Sequence, residues 1–167
     1  MKSKIIAALV LISNFLYAQQ KTEYKHIRFE TGTIAQIDPI LFKTGTAELL
    51  PESEPTLQEV KSFLQAQSFI SSFRIEGHYF DLNKDEKNLK LSQARAMAVA
   101  KWLTANGVDC NRLVAVGFGN TKPVVETTSP EKGKNNRIVL VSAAIKGNLI
   151  GGMPADGGGQ TSGDTCK

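Results

Sequence analysis

Between Phe73 and Phe118 the hydrophobic period of the chain changes twice, and few architectures absorb such a pattern. Residues 73–80 alternate, which puts Phe73, Ile75 and Tyr79 on one side of a strand and Arg74, Glu76, His78 and Phe80 on the other. A polar stretch follows, and from about Asn88 to Asn106 apolar residues recur at helical spacing. The expected buried stripe is Leu91, Ala94, Ala98 and Trp102, widened by Val99 and Leu103, with Gly107 as the C-terminal stop. Residues 113–118 then form a short apolar run that reads as a second core strand. Strand, helix and strand in this order imply an α/β layer architecture.

The flanking segments extend the pattern. Residues 26–30 and 33–37 alternate more loosely around Thr31-Gly32 and suggest a strand or hairpin, and residues 39–42 suggest a short strand that runs into the turn Lys43-Thr44-Gly45-Thr46. Residues 51–67 read as a helix. Glu52, Ser53 and Glu54 lie in its first turn, Leu57, Val60 and Leu64 mark one buried face, and Pro55 is tolerated because it falls near the start. After the turn at residues 119–123, residues 137–141 supply a last strand. The resulting order, βαβαββ, describes an α/β two-layer sandwich with helices on one face of a mixed sheet.

The first four residues are basic and lead into the apolar run 5–12, which closes near Leu16-Tyr17-Ala18. That is the form of a secretory signal peptide, too short for the ~20 apolar residues of a membrane-spanning helix. Cleavage after Ala18 would take 18 residues from 167 and leave 149, the size of one domain with tails. It would also remove two lysines, so the formal charge falls from +4 to +2. These scattered charges give no footprint for nucleic acid. Neither Cys110 nor Cys166 follows the cleavage region, so no acylated cysteine is expected. Export permits a Cys110–Cys166 disulfide, although free or intermolecular thiols remain equally open. No Cys/His spacing suggests zinc, and no cofactor is expected. From Lys146 the glycine-rich composition reads as a flexible tail or tether.

Four stretches carry a family resemblance. They are residues 40–51, Ile75-Glu76-Gly77-His78 with Asn88, Leu91-Ser92 and Arg95-Ala96 at the following interval, Gly107-Val108-Asp109 with Arg112-Leu113 and Val116-Gly117-Phe118-Gly119, and Asn136-Arg137. In that order and spacing, residues 40–141 resemble the OmpA-like domain shared by OmpA, Pal and MotB proteins. The resemblance implies the OmpA-like fold over residues 38–145, with 1–18 a signal peptide, 19–37 a lead-in and strand or hairpin, and 146–167 the tail. It also implies non-covalent binding of peptidoglycan through the diaminopimelate stem peptide, in the periplasm, in association with the wall, the outer membrane and its proteins. In the family an aspartate and a helix arginine hold the ligand's ammonium and carboxylate.

Arg95 matches that arginine. Asn88 lies seven residues earlier, on the same helix face about 10.5 Å away, where it is expected to cap the helix or touch the ligand. Arg137 belongs to the Asn-Arg motif, although the family's second arginine is Ile138 here. The family's threonine and aspartate fall on Tyr79 and Phe80, and a phenyl ring cannot salt-bridge an ammonium. Asp81 substitutes only if the strand end bulges by one residue, because adjacent strand residues face opposite ways. Phe80 can instead offer a cation–π contact worth ~0.5–2 kcal/mol. This departure supports an alternative, a degenerate domain that serves as a protein-interaction scaffold. An enzyme built on His78, Asp81 and Asp85, or on Ser92 or Cys110 as nucleophile, lacks any motif with chemical spacing, and the acids do not form a flanking pair.

Overall fold

The computed structural model describes residues 23–30, 33–82, 84–124, 133, 136–150 and 157–167. The expected signal peptide lies outside the described residues. Strands β1 (Ile27–Glu30) and β2 (Thr33–Ile37) form an antiparallel hairpin. Phe42 and Leu49 then make a single antiparallel bridge around a turn in which Gly45 has a φ of 71°. The strand expected over residues 39–42 is therefore reduced to one bridge. A 3-10 turn at Pro51–Ser53 leads into α1 (Glu54–Ala66), followed by β3 (Ile70–His78), α2 (Asp85–Ala105), a second 3-10 turn at Cys110–Arg112, β4 (Leu113–Gly119) and β5 (Arg137–Ile145). Two-residue strands β6 (Asn148–Leu149) and β7 (Gln160–Thr161) complete the sheet, whose order is β6-β5-β3-β4-β7. β3 runs parallel to β4 and antiparallel to β5, so the sheet is mixed.

The two helices share one apolar layer with the sheet. Leu57, Val60, Phe63 and Leu64 of α1 meet Phe73 and Ile75 of β3 together with Val99 and Leu103 of α2. Each fully buried aliphatic side chain contributes about 1.5–3 kcal/mol, and truncating Leu64, which has no exposed surface, to alanine should cost about 2–5 kcal/mol. Arg112 ties the layer together. Its guanidinium donates to the carbonyls of Leu64 and Gln67 at the C-terminal end of α1, where unpaired carbonyls and the negative end of the helix dipole favour a cation.

The buried line of α2 is rotated from the expected one. Asn88, Ser92, Arg95, Ala96, Val99, Ala100 and Leu103 are buried, whereas Ala94 is exposed and Leu91, Ala98 and Trp102 are half-buried. The cause lies in the strands. Gly77 and Gly117 face α2 without a Cβ, and a Cβ at Gly77 would overlap the Ser92 carbonyl. The helix approaches so closely that the Gly119 amide donates to Ser92 Oγ at 2.9 Å, while Ser92 Oγ donates to the Leu89 carbonyl. Polar residues thus occupy the stripe, because small partners leave room for the helix backbone and not for large side chains.

The segment read as a flexible tail from residue 146 carries structure at its end. β7 pairs with β4 in the register Val116↔Thr161 and Gly117↔Gln160, and a disulfide joins Cys110 to Cys166. The Thr165 hydroxyl lies 3.0 Å from the carbonyls of both Cys110 and Leu113. Gly159 is buried where a Cβ would stand 2.6 Å from the Phe118 ring. Glycine here permits close packing against an aromatic face, so a composition that reads as loose in sequence is used for contact.

Candidate functional site

The C-terminal end of β3, the N-terminal half of α2 and the turn after Phe42 converge on Arg95. Its side chain is buried, 9% exposed. Nε–H donates to the Thr46 carbonyl at 2.9 Å, and the guanidinium carbon sits 4.8 Å from the centroid of the Phe42 ring and 4.8 Å from that of Tyr79. Two aromatic faces therefore hold the plane of the fork from either side. Burial pulls the pKa of this guanidinium down and the nearby Tyr79 hydroxyl pushes it back. Among the described residues no carboxylate pairs with Arg95 and Nε makes its only hydrogen bond, so its Nη donors lack a protein acceptor. The arrangement leaves oriented N–H donors of a cation facing the notch.

Arg95 lines a notch of about 20 Å³ with Ile40, Phe42, His78, Asn136 and Arg137. Arg137 is half-buried. Desolvation lowers its pKa and Glu76 raises it, and one Nη donates to the Lys122 carbonyl. The Phe80 amide donates to Asn136 Oδ1 at 2.6 Å, which fixes the end of β3 beside this notch.

Asp81 and Asn88 stand elsewhere. They line a separate open cleft of about 470 Å³ with Lys84, Lys87 and Lys90, and Tyr79 forms one wall. Asp81 pairs with Lys84 at 2.5 Å. Asn88 is fully buried and does not cap α2, which starts one turn earlier at Asp85 after Lys84. Its side chain instead clamps the loop: Oδ1 accepts from the Asp81 amide at 3.1 Å and Nδ2 donates to the Asp81 carbonyl at 2.8 Å. β3 does not bulge toward Asp81. The irregularity belongs to β4, where Gly77 pairs with Gly117 and His78 with Gly119, leaving Phe118 as the extra residue. The structure thus brings Arg95 and Arg137 together with the Phe80 backbone beside them, and separates Asp81 and Asn88 from them.

Behind the notch, Glu76 receives Arg74 at 2.6 Å and His78 Nε2 at 3.3 Å. Burial pushes the Glu76 carboxyl up, but the His78 hydrogen bond and the Arg74 charge outweigh it, so the net shift is downward. Burial likewise holds the His78 imidazole below its ordinary value, against the opposing Glu76 hydrogen bond. The ring is 2% exposed and stacks on Phe118 at 5.2 Å. The other groups weighed as catalytic have structural partners: Ser92 bridges Leu89 and Gly119, Asp85 accepts from Asn120, and Cys110 is in the disulfide. The contacts that sequence did not reveal are those of Phe42, Thr46 and Asn136, which lie within the quoted motifs, and of Tyr79, which follows one; none of the four carries a charge to draw attention.

Comparison with known proteins gives three concordant results. The model described as the OmpA family matches residues 41–137. The Mycobacterium tuberculosis protein named peptidoglycan-binding protein ArfA is 32% identical over 104 residues, covering 62% of this chain and 32% of that protein. Among solved structures, a putative MotB-like protein from Desulfovibrio vulgaris is similar with a TM-score of 0.59 at 26% identity, covering 69% of this chain and 75% of that one. The peptidoglycan-associated lipoprotein from Burkholderia pseudomallei is similar with a TM-score of 0.55 at 27% identity, covering 61% and 86%. The chain spans about half or less of the length of the curated relatives it matches. Among the described residues no helix is long and apolar enough to cross a membrane.

Proposed function

The chain belongs to the OmpA family, and from that premise we propose that it binds peptidoglycan non-covalently through the stem peptide and thereby tethers or organises the cell envelope. The relatives' names support the ligand class, since both ArfA and the Burkholderia pseudomallei lipoprotein are named for peptidoglycan. The observation that carries the reading is the Arg95 guanidinium, stacked between Phe42 and Tyr79 with no carboxylate partner among the described residues and with Nη donors to spare. Such a fork suits a ligand carboxylate, because two parallel N–H donors match its two oxygens. Arg137 lines the same notch. The action is binding, not catalysis. The division into leader, lead-in, domain over residues 38–145 and C-terminal segment, the export to the periplasm and the outer-membrane partners belong to the same proposal.

A second reading keeps the fold and loses the wall. Phe80 stands where the family carries its aspartate, and Asp81 sits across Tyr79 in a different cleft, paired with Lys84. A domain unable to hold an ammonium would act as a protein-binding scaffold. Co-sedimentation of the protein with isolated sacculi separates the two. Wall binding predicts sedimentation of wild type, loss in Arg95→Ala and a gain in Phe80→Asp, whereas indifference to both substitutions would establish the scaffold.

A further inference from the structure

His78 is a buried polar group that the binding reading leaves unused. Its side chain is 1% exposed, yet it lines the same notch as Arg95. Two contacts fix the ring. Phe118 stacks on it with centroids 5.2 Å apart and planes 8° from parallel, and Nε2 lies 3.3 Å from a Glu76 carboxylate oxygen. The stack follows from the irregularity of β4, which sets Phe118 between the pairs Gly77↔Gly117 and His78↔Gly119. Turning the ring over would give up the Glu76 contact, so its orientation is held before any ligand arrives.

The same contact decides which nitrogen carries the proton. Burial pushes the Glu76 carboxyl up, but the His78 bond and Arg74, 2.6 Å from the other oxygen, outweigh it and keep the group ionised. A carboxylate only accepts, so Nε2 donates, and the neutral ring keeps a lone pair on Nδ1. Burial holds the imidazole below its ordinary value, which favours that neutral form. Nδ1 is buried and has no hydrogen-bond partner among the described residues. A buried acceptor left without a donor is costly, and the Glu76 charge behind the ring makes this one stronger.

Arg95 and His78 therefore line one notch with unlike groups, the donor fork of a cation and an acceptor backed by a carboxylate. A lone carboxylate satisfies the first and has no hydrogen for the second. An α-amino acid end satisfies both, because its carboxylate and its ammonium sit on one carbon. With about 20 Å³, the notch has room for roughly one water-sized group, which an amino group matches while the carboxylate takes the Nη donors.

We propose that His78, polarised by Glu76, accepts a hydrogen bond from the amino group of a ligand α-amino acid end whose carboxylate docks on Arg95. The inference rests on the wall-binding reading and deepens it. It assigns ammonium recognition to β3, in a chain that carries Phe80 where the family has its aspartate. His78 touches the ligand, and Glu76 is a positioning residue that fixes the tautomer.

The test uses the purified full-length chain with its disulfide formed and its histidine nitrogens isotopically labelled. It is titrated by NMR with diaminopimelate and with pimelate, which has the same carbon chain and carboxylates but no amino groups. Wild type should bind diaminopimelate at least about tenfold more tightly, as expected for a charge-assisted hydrogen bond. The Nδ1 resonance of His78 should move with diaminopimelate and not with pimelate, while that of His26, 2.8 Å from Asp38, stays in place. His78→Phe, which keeps a ring against Phe118, should bind the two ligands equally, and Arg95→Ala should weaken both. Glu76→Gln still accepts from Nε2 but carries no charge, so it should narrow the preference and leave pimelate binding unchanged. Undetectable binding of diaminopimelate, equal binding of the two ligands by wild type, or a preference that survives His78→Phe would each overturn the proposal. So would an Nδ1 resonance indifferent to diaminopimelate, a result that needs no variant to fold. Sacculus sedimentation run alongside keeps the two readings apart. Sedimentation of a wild type that shows no preference for diaminopimelate overturns the His78 contact and leaves wall binding standing. Absent sedimentation with the preference intact overturns wall binding and supports the His78 contact.

Discussion

Replacing Arg95 with lysine keeps a cation at the same position of α2 and removes the flat fork, so it separates charge from geometry. In the wild type, Nε–H is committed to the Thr46 carbonyl and rings at 4.8 Å on both sides fix the plane, so the Nη donors reach the notch already oriented. A ligand carboxylate taking both donors forms two charge-assisted hydrogen bonds, each worth about 1.5–3 kcal/mol. Lysine offers one such bond from a flexible stem, and ordering that stem costs up to about 1 kcal/mol more. The expected loss is therefore about 2–3 kcal/mol, or roughly 30- to 150-fold in affinity. Arg95→Ala should lose at least as much. Calorimetry with soluble muropeptides measures the affinity, and a urea melt of each variant checks that the fold survives. Affinity of Arg95→Lys within about threefold of wild type would refute the argument, since the stacked fork would then contribute nothing beyond its charge.

Three further outcomes follow from the fold. Gly77→Ala forces a methyl into the Ser92 carbonyl of α2, a backbone atom that cannot rotate away, so stability should fall by about 3 kcal/mol or more and the melting temperature by roughly 10 °C, read by calorimetry. Cys166→Ser opens a loop with a sequence separation of 56, which loop-closure entropy values at about 4 kcal/mol; a urea-denaturation difference below about 1 kcal/mol would show that the cross-link constrains little. Burial holds the His78 pKa below 6.5 among Arg74, Glu76, Lys122 and Arg137, so the unfolded chain takes up the proton first. The stability His78 contributes is whole above pH 6.5 and is lost as pH falls toward its folded pKa, and His78→Asn should flatten the stability profile between about pH 7 and pH 5. Glu76, with its pKa lowered, acts in the more acid window below 4.5 and should leave the upper one unchanged.

How much could be read in advance differs between the layers. The α/β order was legible because Phe73, Ile75, Leu57, Val60 and Leu64 keep clean periods, and periods report which face is buried. The α2 stripe was not, because burial there depends on glycines in two other strands. Nothing local to Ser92 or Arg95 says that Gly77 and Gly117 will admit them. Asn88 reads in sequence as a cap or a ligand contact because an asparagine near a helix start suits either role, and its partner, the Asp81 backbone, is visible only once the loop is folded. The C-terminal segment escaped for a related reason: a two-residue strand has no period, and Gly159 matters through the Phe118 ring it touches. Arg95 itself was legible through resemblance, but its cage of Phe42, Thr46 and Tyr79 was not, since uncharged residues give no hint that they will surround a cation.

The same close approach explains why the site can be rigid without an internal ion pair. Arg95 lies one turn beyond Ser92, and Ser92 is fixed to β4 through Gly119, so the helix cannot slide along the sheet. Asn88, one turn earlier, fixes the loop after β3 and with it the approach to Tyr79 and Phe80. Asn136 pins Phe80 from the opposite side. A guanidinium held this way loses little further freedom when an anion arrives, and pre-paid ordering appears as affinity. An acid at position 80 would add a seat for an ammonium beside Arg95, so its absence narrows what can bind without removing the guanidinium donors. The missing carboxylate at position 80 is therefore consistent with a retained anion site of altered selectivity. The clamps that Asn88, Ser92 and Asn136 make around that site are all formed.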